Sequence, residues 1–231
     1  MKTTKLFVLS VALLTTLSAH AQTFTNLNFE QAHPVIVVGN PYYPFAVTAA
    51  SALPAWTVTI GGAQQTTILE NAPSLGSPAV GLISIADPVQ NGITPIDGNY
   101  SVLLTGSSYS STPSISQTGL IPAGTQSLLF EADTNFGFYG GSLEVLIGTQ
   151  VVPFTAVATE PNYTLYGANI SQWAGQTEQL TFTALQSPGL NDWLIDDISF
   201  STNSVAAEPS IVPLTAMGGL LFAARKWFAR R

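Results

Sequence analysis

Leu143-Glu144-Val145-Leu146-Ile147 and Gln179-Leu180-Thr181-Phe182-Thr183 decide the fold. In each, apolar and polar side chains alternate at a period of two, the pattern of a strand with one buried face. Further strand-like runs lie on either side. They are Thr23 to Phe29, Val35 to Val38, Trp56 to Ile60, Thr66 to Leu69, Tyr100 to Leu104, Ser114 to Thr118, Ser127 to Ala132, Thr149 to Phe154, Asn162 to Asn169, Glu178 to Ala184 and Trp193 to Phe200. Turn signals such as Asp97-Gly98-Asn99, Pro122-Ala123-Gly124 and Ser187-Pro188-Gly189 separate them. Little of the chain suits a long helix, and no long internal period points to a solenoid or propeller. Many short strands with little helix predict an all-β fold of two packed antiparallel sheets, a β-sandwich. The segment Asn71 to Ile96, rich in Pro and Gly, is expected as a long surface loop with a short strand or two.

The two ends read differently. Lys2 and Lys5, the apolar run Leu6 to Leu17 and Ala19-His20-Ala21 have the charge, hydropathy and small-residue order of a secretory signal peptide. Cleavage there leaves Gln22 first. At the other end Glu208-Pro209-Ser210 leads into the apolar run Ile211 to Ala224, followed by Arg225, Lys226, Arg230 and Arg231. As a helix that run would rise about 21 Å, short of a ~30 Å hydrocarbon core. Trp227 and Phe228 extend it while the basic side chains snorkel to the interface. Pro213 and Gly218-Gly219 weaken the helix, which favours a transient anchor over a permanent one. The expected division is therefore 1–21 signal peptide, 22–203 β-sandwich and 204–231 tail.

All six Lys and Arg residues belong to these ends; residues 22–207 hold twelve Asp and Glu and no Lys or Arg. Such a body repels polyanions, and nucleic-acid binding is excluded because nothing neutralises phosphate. No glycine-rich phosphate loop with its lysine occurs. The chain has no cysteine, so neither disulfides nor thiolate-bound metal hold it together. His33 is the one histidine after the signal peptide, and no Gly-x-Ser-x-Gly elbow presents a nucleophile. Zinc ordinarily needs more His or Cys ligands than this. Glycoside hydrolysis needs only two carboxylates, and Glu131, Asp133, Glu144, Asp192, Asp196 and Asp197 are available, but nothing in the sequence pairs them.

Two family resemblances follow from these residues. Glu208-Pro209-Ser210, the apolar run and the Arg-rich finish resemble the PEP-CTERM sorting tail of Gram-negative bacteria, with Ala207 where that family usually has its first proline. The resemblance implies recognition and cleavage by an exosortase, an integral-membrane protease, and release or transfer to the outer surface or extracellular matrix. Within the body, Asn26-Leu27-Asn28-Phe29-Glu30 is similar to the opening of galactose-binding-like jelly rolls, which include many carbohydrate-binding modules. Pro54-Ala55-Trp56, Asp97-Gly98-Asn99-Tyr100-Ser101, Ser114 to Thr118 and the closing Trp193 to Phe200, with Asp196-Asp197, follow the same order. This implies an antiparallel jelly-roll sandwich. It also implies a structural calcium joining Glu30 to Asp197, with Asp196 as neighbour. On a regular strand those two aspartates would point to opposite faces.

Sugar binding would use aromatic platforms flanked by polar groups, and the candidates are Tyr42, Tyr43, Phe136, Phe138, Tyr139 and Trp173. Together these readings predict an exported, non-enzymatic protein of the cell surface or extracellular polysaccharide matrix. A carbohydrate-binding module or lectin is the alternative, and a glycoside-active enzyme the second. The expected partners are an exosortase-type protease, the secretion machinery, the membrane before processing, and a polysaccharide.

Overall fold

The computed structural model describes residues 22–38, 45–72, 78–86, 93–107, 111–134, 141–189 and 191–205. The expected signal peptide and residues 206–231 of the expected tail lie outside these residues. Within them the regular secondary structure is almost entirely β. In order come β1 Ala46–Thr48, helix α1 Ala49–Ala52, β2 Thr57–Ile60, β3 Ala63–Gln64, β4 Thr67–Glu70, β5 Ala79–Ser84, β6 Tyr100–Gly106 and β7 Pro113–Leu120. They continue as β8 Ser127–Asp133, β9 Leu143–Ile147, β10 Gln150–Val151, β11 Thr155–Thr159, β12 Thr164–Asn169, β13 Thr177–Ala184 and β14 Asn191–Ser201. None of the described helices is long and apolar enough to cross a membrane.

The strands form an eight-stranded sheet, β1-β4-β5-β6-β14-β8-β12-β11, and a six-stranded sheet, β10-β9-β13-β7-β2-β3. Pairing between these strands is antiparallel with one exception, the parallel pair β4 and β5. The two alternating stretches pair with each other, Phe182 opposite Val145. Val145, Ile147, Leu180 and Phe182 turn inward and meet Val102, Leu104, Leu128, Phe130 and Ile195 of the larger sheet. Phe130 and Phe182 touch edge-on across the interface, with ring centroids 5.3 Å apart. Two apolar faces buried against each other make the sandwich.

The larger sheet has its central strands covered on both sides. Ile83, Leu103 and Leu194 point away from the main core and are capped by Ile93, Ile96 and Tyr163. The segment 71–96, expected as surface loop with a short strand or two, does hold one strand, and the correction is its place in the sheet. Ala79–Ser84 is a central strand, hydrogen-bonded to β6 over its full length. A strand covered on both faces reads as a continuous apolar run and not as an alternation, which hides its period.

Thr23 to Phe29 is also corrected. Only Thr23 bridges, in parallel, to Leu120. Asn26 and Phe29 take positive φ of 52° and 57°, which no strand accommodates. Val35 to Val38 likewise reduces to one bridge, Ile36 to Val47, and Thr149 to Phe154 to the two-residue β10.

Candidate functional site

A cluster of polar groups forms where the chain enters the sandwich. Gln117 on β7 is buried and clamps the backbone of Thr25 with both ends of its amide. It accepts from the Thr25 N–H at 2.7 Å and donates to the Thr25 carbonyl at 3.0 Å. The side-chain amide thus substitutes for a ladder partner, satisfying backbone groups that would otherwise be orphaned. Asn26 then binds in three directions. Its Nδ2 donates to the Pro54 carbonyl, its Oδ1 accepts from the Gln31 N–H, and its carbonyl accepts from Trp56 Nε1 at 2.9 Å. Phe29, fully buried, packs on Trp56 with centroids 5.7 Å apart. The opening motif and the Pro-Ala-Trp step are therefore one structural unit.

Glu30 reaches the turn before β6. Its Oε1 accepts from the backbone N–H groups of Asn99 at 2.7 Å and Tyr100 at 2.9 Å, and its Oε2 from Asn99 Nδ2 at 2.8 Å. Gly98 makes this approach feasible for two reasons. Its φ is 57°, and a Cβ there would lie 2.5 Å from Glu30 Oε1. A side chain at that position would displace the carboxylate.

Asp196 and Asp197 stand on β14 at the same junction. The pairing of β14 with β8 shifts register between Asp196 and Ser199, and Asp197 has a φ of 41°. This bulge interrupts the strict alternation expected of adjacent strand residues and re-aims the pair. Both aspartates then reach the same turn. Asp196 accepts from the Asp97 N–H at 3.4 Å, while Asp197 feels the charges of Asp97 and Glu30. Asp196 also accepts from Ser101 Oγ at 2.5 Å and from the Asp197 N–H at 2.8 Å.

Burial dominates the electrostatics. Asp196 is 1% exposed, and desolvation pushes its carboxyl from 3.8 up to about 7, against the lowering effect of the Ser101 hydroxyl and two backbone N–H groups. Asp197 is raised by burial first, then by Asp97 and Glu30. Glu131, opposite Asp196 on β8, is raised by burial and by Asp197, Asp97 and Glu160, partly offset by the Tyr163 hydroxyl that hydrogen-bonds it. No lysine or arginine in residues 22–207 offsets this repulsion.

The three residues singled out for calcium are thus brought together, but their oxygens are differently engaged. Glu30 and Asp196 spend theirs on protein donors, while Asp97 and Asp197 repel each other. The charge suits a hard cation. The geometry does not complete a cage, because among the described residues no group of three or more His, Cys, Asp or Glu side chains is placed to hold a metal.

Trp173, considered as a sugar platform, is buried in the main core within the 3₁₀ turn Ser171–Trp173. Its ring is packing. Tyr42, Tyr43, Phe136, Phe138 and Tyr139 lie outside the described residues, as do Glu208, Pro209, Ser210, Arg225, Lys226, Arg230 and Arg231. His33 has its ring Nδ1 3.1 Å from the Gln31 carbonyl, in an exposed contact. Sequence reasoning missed the part played by Asp97, Gln117 and Tyr163. Asp97-Gly98-Asn99 was legible as a turn, but nothing local marked Asn99 as the partner of a glutamate 69 residues away.

No family model matches the chain, and neither does any curated protein. Among solved structures it is similar to the K2 cleaved adhesin domain of Lys-gingipain, at 18% identity and a TM-score of 0.43, covering 66% of this chain and 91% of that one. It is also similar to TmCBM61 in complex with β-1,4-galactotriose, at 15% identity and a TM-score of 0.37, covering 78% and 97%. A third is the family 11 carbohydrate-binding module from Clostridium thermocellum in complex with a β-1,3-1,4-mixed-linked tetrasaccharide, at 7% identity and a TM-score of 0.32, covering 67% and 92%. The fold assignment rests on the two sheets of this chain itself.

Proposed function

We propose that this chain is an exported, non-enzymatic β-sandwich of the cell surface or extracellular polysaccharide matrix. One observation carries the reading: the polar junction that joins the opening segment, the turn at Gly98 and β14 is spent on holding the fold. Gln117, Asn26, Glu30 and Asp196 bind backbone groups of other segments, and residues 22–207 supply no lysine or arginine to accompany them. Export and sorting rest on the two ends. The motif Glu208-Pro209-Ser210, the apolar run and the basic finish direct the chain to the inner membrane and an exosortase, and its body to the outer surface of a Gram-negative cell. Full-length chain produced with and without a co-expressed exosortase tests this. Intact mass is expected to fall by the tail in the first case only; an unchanged mass in both would leave a plain anchor.

Sugar binding is the second reading, favoured by an open groove of about 270 Å³ lined by Leu143, Val145, Val151, Pro153 and Phe154, with Glu144 beside them. An apolar floor with one carboxylate suits a single pyranose ring. Affinity electrophoresis against galactans and mixed-linked glucans separates the two readings. Specific retardation abolished by Phe154→Ala supports the lectin, and uniform mobility supports the scaffold.

Calcium belongs to the same proposal, at Glu30, Asp196 and Asp197. A divalent ion would relieve the repulsion among Asp97, Asp197 and Glu30, using carbonyl and water oxygens to fill its shell. Calcium titration is expected to raise the melting temperature, and Asp197→Asn to abolish that rise. Neither heat nor a thermal shift on titration would remove the ion and leave Glu30 as a hydrogen-bond anchor alone.

A further inference from the structure

Strand β11 is the edge of the eight-stranded sheet, and all five of its residues are exposed. It is hydrogen-bonded to β12 on one side only. The opposite edge of the same sheet is covered by the segment around Val35 to Val37, which exchanges hydrogen bonds with Ala46 and Thr48. The six-stranded sheet ends in two-residue strands on both sides. Among the described residues β11 is therefore the one uncovered edge long enough to template another strand. Of the devices that usually protect such an edge, Thr155–Thr159 has a bulge and flanking prolines but no charge.

Its sequence is symmetric. Reading outward from Val157, Ala156 matches Ala158, Thr155 matches Thr159 and Pro153 matches Pro161; only Phe154 and Glu160 differ. We infer that β11 pairs antiparallel with β11 of a second copy of this chain, about a two-fold axis through Val157. In that register Val157 meets itself and Ala156 meets Ala158. Thr155 meets Thr159, a cross-strand pair that sheets favour. A two-fold interface needs self-complementarity of this kind.

Charge agrees with the register. Glu160 of one copy falls opposite Phe154 of the other, so the like charges nearest the edge never oppose each other. Pro153 and Pro161 face one another at both ends and, lacking N–H groups, terminate the ladder. The bulge between Ala156 and Ala158 leaves Val157 without a partner on β12 and falls on the axis. One short edge ladder buries less than the ~1,000 Å² of a stable interface. The association is accordingly concentration-dependent, in keeping with a surface layer where copies are held close together.

Because the chain has no cysteine, single cysteines read the register directly. Under mild oxidation of the full-length chain in detergent, Val157→Cys is expected to form a disulfide dimer at least about ten times faster than Thr155→Cys. A mixture of Thr155→Cys and Thr159→Cys should form the heterodimer just as fast, since identical positions off the axis stand about 13 Å apart. Val157→Lys, placed on an exposed side chain, should leave the melting temperature unchanged and abolish the concentration-dependent mass in sedimentation. Equal rates for Val157→Cys and Thr155→Cys, or a mass that Val157→Lys does not alter, would overturn the pairing.

Discussion

Replacing Phe130 by alanine is expected to destabilise the protein by about 3–5 kcal/mol, the range for emptying a buried aromatic site. Phe130 is fully buried on β8 and is the hub of the aromatic core. Its ring lies 5.2 Å from Phe154, 5.4 Å from Tyr166 and 5.3 Å from Phe182. Phe182 belongs to the opposite sheet, so the substitution opens the contact that holds the two layers together. Trp193 stands behind Phe154 and Tyr166 and cannot refill the gap without leaving its own hydrogen bond to Asn191 Oδ1. With no disulfide and no lysine or arginine in the body, the loss falls on a total of roughly 5–15 kcal/mol. Chemical denaturation should show a large drop in midpoint at unchanged slope. Phe130→Leu should recover much of it. A loss below about 1 kcal/mol for the alanine variant, far under the range for such sites, would mean that the sheets are held elsewhere.

Stability should also fall as pH rises from about 4 to 7, the reverse of the usual acid sensitivity of carboxylates. Asp196 has a folded-state pKa raised from 3.8 to about 7. The folded state therefore binds the proton more tightly than the unfolded chain does. Its contribution is fully present below the unfolded value and is lost as pH passes through the folded one. A rise of that size corresponds to roughly 4 kcal/mol. Glu131, Asp192 and Asp197 are raised as well, each by burial first, and act in the same direction. Asp196→Asn keeps the group uncharged: Oδ1 still accepts from the Asp197 N–H and the amide NH2 faces Ser101 Oγ, giving up only the long contact from the Asp97 N–H. Melting temperatures measured in chelator from about pH 4 to 9 should fall for the natural chain, and Asp196→Asn should flatten most of that fall. Equal stability on the two sides of the transition, or a variant that tracks the natural chain, would contradict a buried, neutral Asp196.

The candidate site was legible in its members but not in its assembly. Asn26 to Glu30, Pro54-Ala55-Trp56 and Asp196-Asp197 stand out in the sequence, and the structure joins all three. The device that joins them is invisible there. It consists of left-handed backbone at Asn26, Phe29 and Asp197, a conformation that Asn and Asp tolerate and that a Phe rarely takes without tertiary contacts to hold it. The same limit explains Thr23 to Phe29, where a strand-like run becomes a knot of side-chain-to-backbone hydrogen bonds.

By itself the sequence determined the sandwich, because strands such as Leu143–Ile147 carry their burial pattern in a period of two, a purely local property. It also determined a body without lysine or arginine, whose repulsions only hydrogen bonds or a bound ion can offset. Tertiary structure alone decided that Ala79–Ser84 is a central strand and that Trp173 is core. It also decided that Glu30 belongs to the turn at Gly98 and that β11 is left as an open edge. Each depends on which surface covers which, and partners far apart in the chain set that coverage.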